Sequence, residues 1–209
     1  MSQTPLIDRF TAKAEAVSAV VTRVDSVQAA LQYTVDVCDT KEACQVLASG
    51  CDEPLSPQAE DLCQLKDWGK IIAAPDLPQE RLQSLKELCQ PMGIALIKQG
   101  LREHLGGIDI GICSALAGIA ETGTLVVDSR SEDLRLASMI SEVCLAMLPA
   151  STLVQDSTEL SGVLSQRFLN SPDYTAFITG ASRTADIERV LTLGVHGPLE
   201  LHIVILMDE

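Results

Sequence analysis

The chain has 209 residues and a formal net charge of -14, from 29 acidic and only 15 basic side chains. That balance, with aromatic residues at 3%, excludes nucleic acid as a partner, because such binding needs cations to neutralise phosphates and rings to stack on bases. Hydrophobic residues make up 46% of the chain, enough for the core of a single domain over 1–209, but no run approaches the ~18 apolar residues of a membrane span.

Thr4 and Pro5 read as a helix cap and first helical position. Ile7, Phe10, Ala14 and Val17 then recur at helical spacing, predicting a helix over about 5–17. AVVTRV at 19–24 is rich in β-branched residues and predicts a strand, with one long helix from Pro5 as the competing reading. Asp25 and Gln28 form a capping-box-like pair ahead of a helix bearing Val27, Ala30, Leu31, Val35 and Cys38 on one face. Further strands are expected in CQVLASG (44–50), KIIAAP (70–75), IALIKQG (94–100), IDIGIC (108–113), TLVVD (124–128), VCLAML (143–148), YTAFITG (174–180) and LELHIVILM (199–207). Helices fit between them at about 79–90, 132–141 and 157–168, and GCDEPLSPQAED at 50–61 reads as a surface loop. This alternation predicts a three-layer α/β/α sandwich around a mainly parallel, Rossmann-like sheet. In such sheets ligands bind in loops beyond the carboxyl ends of the strands.

Seven cysteines, an odd number spread through apolar stretches, read as reduced core thiols, and MSQTPLIDRF shows no mark of an export signal. The expected location is the cytoplasm. Without a C-x-x-C or three closely spaced cysteines, no iron–sulfur cluster, and no other cofactor, is expected in this chain. The three histidines lack metal-ligand spacing, and the nucleophile-elbow, P-loop and dinucleotide-binding motifs are absent.

Two stretches carry the candidate chemistry. In ITGASRTADIE a strand ending at Thr179 and a tight turn at Gly180 predict a helix starting near Ser182 to Thr184. Its free N–H groups, the hydroxyls of Ser182 and Thr184 and the Arg183 guanidinium would hold a carboxylate or phosphate. The competing reading is a capped helix with Asp186 complementing its dipole. In GIAETGTLVVD, Glu121 interrupts apolar residues before Thr122, Gly123 and Thr124. It is either a partly desolvated carboxylate suited to proton transfer or one that accepts backbone bonds, with Gly123 present for its φ angle. His196, beside Gly197 and Pro198, is a proton acceptor or carboxylate partner in one reading and a solvated turn residue in the other. His202 alternates with apolar neighbours and reads as structural.

GIAETGTLVV, ITGASRTADIE and LGVHGP together resemble, in order and spacing, the LUD-domain family of lactate-utilisation proteins, over about Phe10 to the C-terminus. The resemblance implies a fold like that of the sugar-phosphate isomerase (NagB/RpiA), CoA-transferase and formyltetrahydrofolate cyclo-ligase superfamily. It implies a subunit of a complex that oxidises L-lactate to pyruvate, with iron–sulfur clusters in its partner subunits. It also joins Glu121, Ser182, Arg183, Thr184, Asp186 and His196 into one site for a small carboxylate or partner group. Ile140 to Val143 depart from the Leu-Pro-x-x-His-like segment of many relatives. Two other readings stand beside this one. The first is a stand-alone acyl- or formyl-transfer enzyme using CoA or a nucleotide. The second is a non-catalytic assembly protein whose first helix docks its apolar face on a partner.

Overall fold

A computed structural model describes residues 4–43, 69–104, 107–169, 174–184, 192–193 and 197–207. The expected strand at 44–50 and loop at 50–61 lie outside these residues. Helix α1 spans Thr4–Glu15, strand β1 Ala19–Val24 and helix α2 Val27–Thr40. Helix α2 is capped by Ser26, whose hydroxyl accepts from the Ala29 N–H. The expected cap therefore moves one residue from Asp25, because Ser26 has the extended backbone that aims its oxygen at the first turn. Strand β2 is Ile71–Ala73, helix α3 Gln79–Cys89 and strand β3 Ala95–Ile97.

Strand β4 runs over Ile108–Ile119, well beyond the expected hexapeptide. A tight turn returns it as β5, Thr124–Asp128. Helix α4 (Glu132–Met139) and strands β6 (Ser141–Pro149) and β7 (Leu153–Val154) follow. Then come helix α5 (Ser161–Phe168) and strands β8 (Thr175–Ile178), β9 (Arg183–Thr184), β10 (Thr192–Leu193) and β11 (Glu200–Leu206).

The strand order β1-β11-β6-β4-β2-β3 is parallel throughout. Past Ser114 the register of β4 slips between Ala115 and Ala117, and the strand leaves its parallel neighbours to pair antiparallel with β5. Strand β8 then adds antiparallel to β5. One long strand thus belongs to the parallel sheet by its first half and to a smaller antiparallel extension by its second.

Period-two alternation divides the core. On β6 and β11, Cys144, Ala146, Leu148, Leu201, Ile203 and Ile205 face one side, with Ile7, Phe10 and Ala14 of α1. Val143, Leu145, Met147, Val204 and Leu206 face the other, with Ala30, Leu31, Val35 and Cys38 of α2 and Leu85 and Cys89 of α3. Helix α4 lies on the α1 side, so close that a Cβ on Gly111 of β4 would stand 1.8 Å from the Ala137 carbonyl oxygen. These are the three layers the alternation predicts. Because Ile7, Phe10 and Ala14 are buried in the chain's own core, the docking role suggested for that face is set aside.

Candidate functional site

The structure draws the two sequence motifs together around the end of α1. The turn of Ala120 to Gly123 is clamped by β7: the Ala120 N–H donates to the Val154 carbonyl at 2.9 Å, and the Glu121 N–H to the Gln155 carbonyl at 3.0 Å. Gly123 has φ +68°, and a Cβ there would stand 2.4 Å from the Ala14 nitrogen. Gly180 has φ +74°, with a Cβ reaching to 2.1 Å from the Val17 carbonyl oxygen. Both glycines are therefore required by backbone conformation and by close approach of the chain ahead of β1. The hydroxyls of Thr122, Thr124 and Thr179 form a chain at 2.7 and 2.8 Å that links one turn to the other.

The helix expected from Ser182 to Thr184 is not there. Arg183 and Thr184 form β9, paired antiparallel with Leu193 and Thr192 of β10. The two segments meet as strands because their backbone groups satisfy one another, so no helix start supplies free N–H groups at these residues. The Ser182 N–H donates to the Pro198 carbonyl at 3.1 Å, and Gly197 packs against Ser182, where a Cβ would lie 3.1 Å from the serine Oγ. Ser182 of the SRT segment is thereby brought against Gly197 and Pro198. Asp186 and His196 lie outside the described residues.

Glu121 is exposed rather than partly desolvated, Arg183 is exposed, and Ser182 is half-buried. Thr122 is also exposed, whereas Gly123, Thr124 and Gly180 are buried. The turn at 120–123 and Gly180 lie beyond the carboxyl end of the antiparallel half of β4, since β8 again runs parallel to β4, but Ser182 meets the other end of the main sheet. Pro198 and Leu199 lead into the amino end of β11, and the Leu199 N–H donates to the Glu142 carbonyl near the start of β6. The rule for open parallel sheets therefore misplaces Ser182, which pairs with the segment entering β11.

Behind Ser182 a cavity of ≈ 220 Å³ opens between α4 and β8. Gly180, Ala181, Ser182 and Pro198 form one wall and Ala176, Ile178 and Tyr174 another; Cys144 and Leu201 of the main sheet also line it. Ser129, Arg135, Ser138 and Met139 complete the lining. Sequence reasoning missed Arg135, Ser138 and Cys144. The signal available was the run DSRSEDLRLASM directly after the TLVV strand.

Several other polar groups have structural roles. Lys41 reaches the buried Asp109 at 2.9 Å and Glu142 at 3.1 Å, and Asp109 also accepts from the Ile71 N–H at 2.7 Å. His202 lies 2.8 Å from the Tyr33 hydroxyl and 2.9 Å from Glu200, the structural role read from its sequence pattern. Burial, then the charge of Asp109, pushes the Cys38 thiol up to about 12, and burial pushes Cys89 up to about 11. Cys113 shares a hydrogen bond with Cys144 across 3.8 Å, which with burial holds it well above the usual thiol range. These protonated thiols suit packing better than nucleophilic chemistry. Among the described residues no group of His, Cys, Asp and Glu is placed to hold a metal ion, and no helix is long and apolar enough to cross a membrane.

The overall fold is shared with the crystal structure of a DUF162 family protein from Deinococcus radiodurans. The two superpose with a TM-score of 0.58 at 15% identity, over 99% of each chain, a likeness of fold. The LUD domain model matches residues 7–206, and the chain belongs to that family. Curated relatives share up to about half of it. Lactate utilization protein C of Geobacillus kaustophilus (strain HTA426) is 34% identical over 104 residues, 48% of this chain and 43% of that protein. The protein of the same name in Bacillus subtilis (strain 168) is 33% identical over 104 residues, with the same coverage. That of Exiguobacterium sp. (strain ATCC BAA-1283 / AT1b) is 37% identical over 103 residues, 48% of this chain and 45% of that protein. The chain thus spans less than half the length of the curated relatives it matches.

Proposed function

We propose that this chain acts in lactate utilisation, as a subunit of an assembly that oxidises L-lactate to pyruvate. Two electrons and two protons leave the substrate in that reaction. The electrons pass to iron–sulfur partner subunits, and this chain supplies the ligand site. The observation that supports the reading most is its likeness to relatives named lactate utilization protein C, taken with the convergence of the three motif segments on one face. In this reading Ser182, the Thr184 segment and the Gly180 and Gly197 turns bound the site, and Glu121 or His196 accepts the hydroxyl proton. Glu121 and Arg183 are exposed, which suits contact with a partner or with a ligand held at the rim.

The test is affinity purification of the chain from its native host grown on lactate, with iron analysis and mass spectrometry of what accompanies it. The expected result is an iron-containing assembly with lactate-dependent reduction of an electron acceptor. A colourless protein recovered alone, without that activity, overturns the reading.

A further inference from the structure

The cavity behind Ser182 has an unusual charge balance for so acidic a protein. Arg135 is the only charged side chain lining it among the described residues, and no carboxylate joins it. The guanidinium is fixed before any ligand arrives. Its Nη1 donates to the Ser129 carbonyl at 2.7 Å and to the Arg130 carbonyl at 3.1 Å, and the group lies 5.8 Å from the centre of the Tyr174 ring. Nε and Nη2 make no hydrogen bond among the described residues, leaving one edge of a planar fork that matches the two oxygens of a carboxylate.

The rest of the lining sets the ligand's class. Among the described lining residues a single cation without a second Lys or Arg suits a monoanion, whereas a phosphate dianion would bring an uncompensated charge against Cys144, Leu201 and other poorly hydrated groups. Ser182 brings a hydroxyl to the same space, suited to a 2-hydroxy or 2-oxo oxygen; the Ser138 hydroxyl donates to the Arg135 carbonyl at 3.0 Å and keeps its lone pairs for a ligand hydroxyl, and Ile178 and Leu201 offer apolar wall to a short hydrocarbon tail. At ≈ 220 Å³ the volume suits a small metabolite, being below the roughly 300–1,000 Å³ of sites for drug-sized ligands.

We propose that this cavity binds a small monocarboxylate bearing a 2-hydroxy or 2-oxo group, with Arg135 rather than the exposed Arg183 as its cation. The anion class follows from the lining; the choice of L-lactate and pyruvate as first ligands rests on the lactate reading above. Ser182 is then the point where the SRT motif touches the ligand, and Arg183 lies outside.

Isothermal titration of the full chain with L-lactate, pyruvate and the neutral isostere lactamide tests this. L-Lactate or pyruvate is expected to bind and lactamide to fail. Arg135→Met should weaken binding by about 10- to 100-fold, the loss of a charge-assisted pair, while Arg23→Ala, at an exposed arginine paired with Asp8 away from the cavity, leaves it unchanged. Because Arg135 also holds two loop carbonyls, Ala176→Phe serves as a second variant that fills the cavity and leaves those bonds intact; it should abolish binding. Absence of carboxylate binding, equal binding of lactamide, or binding unaltered by both cavity variants overturns the proposal. The two readings fail separately. An iron-containing assembly that oxidises lactate while its chain binds none in the cavity removes only the cavity assignment. Cavity binding by a chain that purifies without partners removes only the assembly.

Discussion

The hydroxyls of Thr124 and Thr179 lie 2.8 Å apart, joining the turn that carries Glu121 to the turn that leads to Ser182. Thr124 is buried and also meets Thr122 at 2.7 Å, whereas Thr122 and Thr179 are exposed. Thr124→Val keeps the shape and removes both bonds, and water can satisfy the two hydroxyls left behind. The expected cost is about 1–2 kcal/mol, read as a lower urea midpoint with unchanged m-value. Thr179→Val, at the exposed end of the chain of hydroxyls, should cost less.

Gly123 abuts the last turn of α1 at Lys13 and Ala14, Gly180 abuts Val17 in the link to β1, and both adopt the left-handed backbone. Alanine at either position adds φ strain and a backbone collision that no side-chain rotation relieves. Each substitution should cost more than about 2 kcal/mol. Gly162 is the control, since a Cβ there meets nothing within 4 Å in helix α5. Gly162→Ala should be neutral or stabilising by up to about 1 kcal/mol. Thermal unfolding of the three variants separates a glycine required by conformation and packing from one that is not.

These contacts mark how much the sequence could reveal. Ile7, Phe10 and Ala14 announce an apolar helix face by period alone, and the alternation of Leu201, Ile203 and Ile205 with Val204 and Leu206 announces a strand buried on both sides. The helix expected at Ser182 fails because the pairing of Arg183 with Leu193 is non-local, and local capping signals carry no information about a strand partner ten residues away. Arg135 was missed for a related reason. On a helix rich in charge it reads as a solvated surface residue, and only the tertiary position of β8 makes it a cavity wall. The Ala115 to Ala117 slip, which turns β4 out of the parallel sheet, has no signature in a run of small apolar residues.

At the amino edge of the sheet, Lys41 neutralises Asp109, whose side chain is 1% exposed. Burial alone would lower the Lys41 ammonium, but hydrogen bonds and charge from Asp109 and then Glu142 outweigh it and hold the group above its ordinary 10.5. Lys41→Met should cost about 2–3 kcal/mol, below the usual loss for a fully buried pair because Glu142 still reaches solvent. Adding Asp109→Asn should recover part of that loss, since the Asn oxygen can still accept from the Ile71 N–H and the cost of burying a carboxylate charge is removed. A group with a raised folded pKa stabilises below its unfolded value and loses that contribution as pH rises through the folded one. The gap between wild type and Lys41→Met in chemical denaturation should therefore hold across the neutral range and close only above pH 10.5.

Asp76 presents the opposite case at the carboxyl edge. One carboxylate oxygen accepts from the Ser114 N–H at 2.9 Å, while Oδ1 is buried without a hydrogen-bond partner among the described residues. Burial first, and the charge of Asp128 with it, raises the Asp76 pKa above its ordinary 3.8 against the pull of the Ser114 bonds. For an acid shifted this way the stabilising contribution is complete below 3.8 and is lost as pH rises through the folded pKa, so at pH 7 the ionised group weakens the fold. Asp76→Asn keeps the acceptor for Ser114 and removes the charge, and should raise the melting temperature at pH 7. That advantage should shrink on acidification and disappear below pH 3.8, where wild-type Asp76 is neutral in both folded and unfolded chains. Acid effects on other groups act on both proteins and cancel in the difference. A gain that stayed constant with pH would trace to a hydrogen bond from the new amide instead, and a loss at pH 7 would mean that the ionised carboxylate has a partner that stabilises it.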